Sequence, residues 1–255
     1  VVAPKAVSAA PKTKAVSSGE KSEPKTDVLA DLNAGTPVEE LDSQIETMYP
    51  ESTRTKLASP NWKERLEGME EILASLQEQD KFEQPTPDVT CRMLVGVVVS
   101  RKETNFQVVA KAFSIVQTLS EKSAKFSKRA AHWMIGVLVD KLGDVKLKVV
   151  SSDCLLSLAE SCTPNFIMTQ AIEVLQKQKA PKTLENGLLW IKTMCDDFGM
   201  KLIKPKPVID HTKQMLEVAN PSVKKMAIEV LVTLRRALGP QMRNLLSDVK
   251  PALLT

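Results

Sequence analysis

Apolar residues along this chain recur every three or four positions. Val109, Ala112, Phe113, Val116 and Leu119 form one such set, and Val150, Cys154, Leu155 and Leu158 a second. Leu184, Leu188, Ile191 and Cys195 form a third, and Ala227, Val230, Leu231 and Leu234 a fourth. That spacing puts each set on one face of a helix, whereas no stretch of useful length alternates with the period of two that a half-buried strand requires. A short polar or kinked break precedes each run: Glu103-Thr104-Asn105, Gly143-Asp144-Val145-Lys146, Lys179-Ala180-Pro181-Lys182 and Asn220-Pro221-Ser222. The markers Asn105, Asp144, Pro181 and Pro221 lie 39, 37 and 40 residues apart, and Asn61-Trp62 fits as an earlier turn 44 residues before Asn105. A second series of breaks interleaves with the first, because Pro87, Pro164 and Pro240 stand at or near helix starts, where a missing N–H costs nothing.

A repeat of about 40 residues holding two helices is the HEAT signature. The pattern therefore predicts an all-α HEAT-repeat solenoid of about six helix-pair units. Five are complete, and Met242 to Leu254 would be the first helix of a sixth whose partner is missing, leaving Leu245, Leu246 and Leu253 with apolar surface exposed. One pair cannot cover its own apolar face, so neighbouring pairs must stack.

Composition agrees. The chain has 255 residues, only 4% of them aromatic and nine of them glycine, which suits helices rather than pleated sheets or glycine-dependent turns. Val1 to about Asp27 is different: Ala, Pro, Lys, Ser and Thr dominate, too little apolar surface to offset ordering entropy. Residues 1–36 are thus expected to be a flexible linker and residues 37–255 the folded domain. The first residue is not Met, which reads as an excerpt of something longer. No apolar run approaches the roughly 20 residues of a membrane span, and no apolar core of a signal peptide is present. Cys91, Cys154, Cys162 and Cys195 form no CxxC pair and sit in apolar helical runs, which suits a reducing, cytoplasmic setting.

Chemistry-bearing motifs are missing. There is no Gly-rich phosphate loop, and neither His132 nor His211 stands at metal-ligand spacing from another His or Cys. His132 reads as a satisfied helix histidine and His211 as a surface residue. Asp196 and Asp197 are adjacent and point to different faces, which suits a solvated helix end better than paired catalytic carboxylates. No enzyme, metal or cofactor is expected. Net charge is a modest +4 with few aromatics, which argues against nucleic acid.

The basic residues nevertheless fall in a pattern, at the turn inside each pair. They are Lys63 and Arg65; Arg101 and Lys102; Lys141, Lys146 and Lys148; Lys177, Lys179 and Lys182; and Lys224 and Lys225. In a solenoid equivalent turns line up along one edge, so basic turns in register make a linear strip suited to an acidic surface. Trp62 stands in the first turn, either as a staple packed backward on its helix or as an exposed interface anchor. Trp133 and Trp190 lie within helical runs and read as core.

The turn segments Asn61-Trp62-Lys63-Glu64-Arg65, Lys102-Glu103-Thr104-Asn105-Phe106-Gln107-Val108 and Asp140-Lys141-Leu142-Gly143-Asp144-Val145-Lys146 resemble the intra-repeat turns of TOG domains. The similarity is to the microtubule polymerase family that includes ch-TOG and Mini spindles. Gly239-Pro240 with Lys250-Pro251-Ala252-Leu253-Leu254 resembles the close of the third TOG domain of that array. The resemblance spans about Val38 to Thr255. It implies a flat stack of HEAT units, monomeric, binding αβ-tubulin along the turn edge, in the cytoplasm on microtubules, spindle and centrosome. Carried onto this chain it designates Trp62, Lys63, Arg65, Thr104, Asn105, Val108, Lys146, Lys182 and Lys224 as tubulin-binding. Ala180 stands where an asparagine is expected before Pro181, a departure from the pattern. The alternatives are a generic HEAT scaffold for another acidic protein, or an RNA-binding helical repeat, for which no base-reading positions stand out.

Overall fold

A computed structural model describes residue 32, residues 35–242 and residue 246. Among them are eleven α-helices and no β-strand. They are α1 (Val38–Met48), α2 (Glu51–Ala58), α3 (Trp62–Gln77), α4 (Thr86–Leu94), α5 (Phe106–Lys122), α6 (Lys128–Lys141), α7 (Lys148–Ser161), α8 (Pro164–Leu175), α9 (Pro181–Phe198), α10 (Pro205–Glu217) and α11 (Pro221–Leu238). The expected linker falls almost wholly outside the described residues, as does most of the expected first helix of a sixth unit, including Leu245 and Leu253. Leu246 is half-buried and packs against the core, unlike the exposed position expected of it.

The helices form two layers. The second helices of the pairs, α3, α5, α7, α9 and α11, pack side by side; α1, α4, α6, α8 and α10 make the other layer. Five pairs result, as the repeat spacing predicts. The first is irregular, because Tyr49-Pro50 breaks its leading helix into α1 and α2. Proline cannot continue a helix, and the extended backbone of Tyr49 (φ −117°, ψ 132°) turns its side chain inward. There the Tyr49 hydroxyl lies 2.6 Å from that of Thr90 on α4, tying the elbow to the next unit.

The core between the layers is one cluster running the length of the stack, from Leu41 through Leu94, Phe113, Ile135, Leu158 and Leu188 to Leu234. Trp190 belongs to it, as expected. Trp133 is only half-buried and carries the Arg129 guanidinium 5.3 Å above its ring. Arg129 also forms a buried pair with Asp88 at 2.8 Å and donates to the Thr36 carbonyl, fastening α4, α6 and the lead-in segment together. Beyond Leu94 the chain winds wider, as a π-turn over Val95–Ser100, and closes with Lys102 at φ 53°. The N–H of Glu103 donates to Val98 O and that of Lys102 to Val99 O, which satisfies the helix end by the usual left-handed closure.

All four cysteines are free thiols, and burial pushes each thiol up. His132 meets the sequence expectation: its Nδ1 is 2.6 Å from the side-chain oxygen of Gln170. His211 does not. Rather than a surface residue it is 1% exposed, on the inner face of α10 with Val208, Thr212 and Met215. The apolar positions one turn to either side mark that face as the buried one.

Burial lowers the His211 imidazole from its ordinary value of 6.5 to about 4. The unfolded chain therefore takes up a proton that the folded chain refuses. Its contribution is complete above pH 6.5 and is lost as pH falls toward 4. Between pH 7.5 and 5.5 this residue should remove about 1 kcal/mol of stability, a loss absent from His211→Gln. Urea unfolding at the two pH values tests this; equal pH dependence in both proteins would show that another group is responsible.

Candidate protein-binding edge

The five turns inside the pairs are residues 59–61, 101–105, 142–147, 176–180 and 218–220. A similar device opens most of the helices that leave them. Asn61 accepts from the N–H of Lys63, Asn105 from those of Gln107 and Val108, and Asn220 from those of Ser222 and Val223. Asp144 makes the same kind of contact within the third turn, accepting from Lys146 (2.7 Å) and Leu147 (3.2 Å) just before α7. Each asparagine oxygen satisfies N–H groups that the first helical turn leaves without partners. Ala180, the departure noted in the sequence, makes no such bond.

Neighbouring turns touch. Arg65 Nε is 2.6 Å from a Glu103 carboxylate oxygen, and its Nη1 donates at 2.9 Å to the carbonyls of both Ser59 and Pro60. The other Glu103 oxygen accepts from the N–H groups of Thr104 and Asn105, each at 2.9 Å. Arg101 reaches back from the second turn to the carbonyls of Leu57, Ala58 and Ser59. Burial alone would push the Glu103 carboxyl up; the Arg65 hydrogen bond, the Asn105 and Thr104 N–H groups and the Arg65 charge outweigh it and hold it below the usual value. Turns two and three meet where Lys146 Nζ lies 4.0 Å above the Phe106 ring. Turn three meets α9, the helix that leaves turn four, where Asn186 donates to the Leu142 carbonyl at 2.7 Å. Gly143 abuts Thr183 so closely there that a Cβ would sit 3.1 Å from the Thr183 nitrogen and foul its side chain, so only glycine fits. The fifth turn follows from the packing of α11 along α9.

The expected site residues divide under this geometry. Lys63, Thr104, Lys146 and Lys182 are exposed, and Lys224 is partly so. Lys182 pairs with Glu185 at 3.0 Å across one turn, with its own side chain 75% exposed. Trp62 is half-buried: it packs against the core while Lys63 Nζ lies 6.0 Å above its ring, so one face staples the helix start and part of the ring stays at the surface. Asn105 is engaged as a helix cap. Val108 needs correction. It is fully buried, two positions beyond Phe106 and on the inward face of α5 with Val109 and Ala112, so it has no surface for a partner. Arg65 is corrected in role: at 12% side-chain exposure and matched by Glu103 at 4%, it joins two turns instead of presenting a charge. Arg101 is likewise engaged with backbone. Sequence reasoning passed over Phe106 and Val145, both exposed; the signal was their place directly after the capping residues Asn105 and Asp144.

The family profile of the XMAP215/Dis1/CLASP TOG domain matches residues 50–255. This chain belongs to that family. The curated relative Protein MOR1 of Arabidopsis thaliana is 32% identical to it over 222 residues, covering 86% of this chain and 11% of its own length. The chain thus spans about a tenth of the curated relatives it matches. Among solved structures, the Drosophila melanogaster Mini spindles TOG3 domain superposes with a TM-score of 0.72 at 24% identity, over 80% of this chain and 89% of that one. A second structure, from work on TOG–tubulin binding specificity in microtubule dynamics and mitotic spindle formation, also gives 0.72, at 16% identity over 90% and 93% of the two chains. Both share the TOG fold.

Breaking the Arg65–Glu103 pair should be costly, because one partner would remain buried and charged. Arg65→Ala is expected to lose about 3 kcal/mol, against less than about 0.5 kcal/mol for Lys63→Ala on the exposed side of the same turn. Chemical denaturation of the two variants decides the matter; similar small losses would mean that the pair is not a structural clamp.

Proposed function

We propose that this TOG domain is a non-catalytic αβ-tubulin-binding module, monomeric, that meets tubulin along the edge formed by its five intra-pair turns. The observation that carries the reading is the turn edge itself: the second helices pack side by side, so their turns follow in chain order, and the edge keeps Lys63, Lys102, Lys146, Lys148, Lys177, Lys179, Lys182 and Lys225 exposed. Such a row favours an extended acidic surface by steering and by complementarity. Family membership and the tubulin-binding theme of a solved relative support the same partner. Trp62 supplies the apolar contact of the first turn, Thr104 the polar contact of the second, and Lys146, Lys182 and Lys224 the charges of the remaining three. Asn105 and Arg65 shape the edge from within.

Where several such domains stand in one protein, they would raise the tubulin concentration near a growing microtubule end. That gain comes from linkage and is beyond one domain alone. It places the work in the cytoplasm, on microtubules and spindle.

Size-exclusion chromatography with αβ-tubulin, with and without RNA as competitor, separates this reading from a generic scaffold and from an RNA binder. Trp62→Ala should weaken binding by about 2 kcal/mol, as loss of an interface anchor does. Lys224→Glu should also weaken it, and raising salt should weaken the wild type steeply because exposed charges are screened beyond about 8 Å. Co-elution unchanged by salt and by both substitutions would overturn the basic-edge assignment.

A further inference from the structure

A groove of about 710 Å³ runs along the outer side of the first-helix layer, where the π-turn after α4, then α6 and then α8 lie side by side. It reaches the turn edge at one end only. Its floor is apolar, with Val99 39% exposed and Trp133, Val137 and Val174 half-buried. Gly136 lies among them on α6, with open space where a side chain would stand. A glycine inside a helix weakens it relative to alanine, and no packing contact among the described residues calls for this one. Lys102, Lys141 and Lys177, which follow or end the three elements, line one end, and none of them forms an ion pair among the described residues. The groove's carboxylates are engaged: Glu103 with Arg65, Asp140 with Gln178 at 2.5 Å and Glu173 with Gln170 at 3.3 Å.

The other end of the groove is where the chain enters the domain. Arg129, one helical turn before Trp133, holds its guanidinium 5.3 Å above that ring. It also donates to the Thr36 carbonyl at 2.7 Å, and Gly35, at φ 104°, passes so near that a Cβ would sit 3.4 Å from Arg129 Nη2. Arg129 Nε and Asp88 Oδ1 have no partner, although both side chains are only 8% exposed. Buried donors and acceptors left in that state are rare, and arriving backbone supplies both kinds of partner.

We infer that residues 20–31 dock in this groove as an intramolecular strap, running from the Arg129 entry along α6 toward the three lysines. The occupant is chosen by composition and reach. Val28, Leu29 and Ala30 are apolar, and Glu20, Glu23, Asp27 and Asp31 outnumber Lys21 and Lys25. The apolar residues cover Trp133, Gly136 and Val137, while the carboxylates meet Lys141 and Lys177. From Trp133 to Asp140 the floor rises about 10 Å along the helix. The chain from Gly35 back to Leu29 can span about 20 Å, enough to reach it. The inference does not rest on the tubulin reading.

The test is amide hydrogen exchange of residues 20–31 in the 255-residue chain, with a free peptide of residues 20–34 as the reference. Exchange at residues 27–31 is expected to be about tenfold slower in the chain than in the peptide. Gly136→Phe, whose ring would fill the groove, should return exchange to the peptide rate while the melting temperature holds. Lys141→Glu with Lys177→Glu should do the same from the rim, and adding Asp27→Lys with Asp31→Lys should restore the protection. Peptide-rate exchange in the wild type overturns the strap. So does protection that survives both the filled groove and the reversed lysines, because the segment would then dock elsewhere. Protection that grows with protein concentration also overturns it, since the segment of one molecule would then occupy the groove of another.

Discussion

A two-helix unit carries more apolar surface than its two helices can hide from water, and the rest of this chain is organised around covering the remainder. Each pair is closed by the next, which is why the core runs unbroken from Leu41 to Leu234 instead of dividing into local clusters. The same need explains the irregular first pair. Pro50 splits its leading helix, yet the break turns Tyr49 inward onto Thr90, and the inter-unit contact is kept. Where side-chain charges enter the stack they come in opposed pairs, Asp88 with Arg129 and Arg65 with Glu103, because an unmatched charge there would carry its full desolvation penalty.

With both layers given over to packing, the turns are the surface left for the proposed recognition, and a row of loops is a poor platform unless its members are fixed relative to one another. Here the first four are fastened in sequence, each junction by a different chemistry. Charge and backbone hydrogen bonds join the first and second, an ammonium over an aromatic ring joins the second and third, and a side chain on a carbonyl beside a bare glycine joins the third to the helix that leaves the fourth. Surface side chains such as Lys63 and Lys146 thus stand on a preorganised base, and little ordering entropy is left to be lost on contact.

Helix type, pairing and repeat length were legible in the sequence because apolar spacing and capping residues are local signals. The side of the edge on which a residue works was less so. Arg65 and Lys63 are two positions apart and equally basic, yet one is sealed against Glu103 and the other is solvated; that difference depends on a carboxylate 38 residues away. Val108 was misjudged because its polar neighbours in the turn hid its inward phase, which the run through Val109 and Ala112 would have revealed. His211 was misread for the converse reason, a polar name obscuring an apolar register between Val208 and Met215. Trp62 defeats a two-way choice, since its ring is shared between core and surface.

The antiparallel course of each pair has an electrical consequence. At every turn the carboxyl end of one helix meets the amino end of the next, so the two backbone macrodipoles present opposite partial charges a few residues apart and largely cancel. The edge consequently inherits no fixed sign from its backbone. Its potential is written in side chains alone, and exposed ones at that. Lysine replacements could make the same scaffold neutral or acidic without touching a helix–helix contact, which allows one fold to meet partner surfaces of quite different charge.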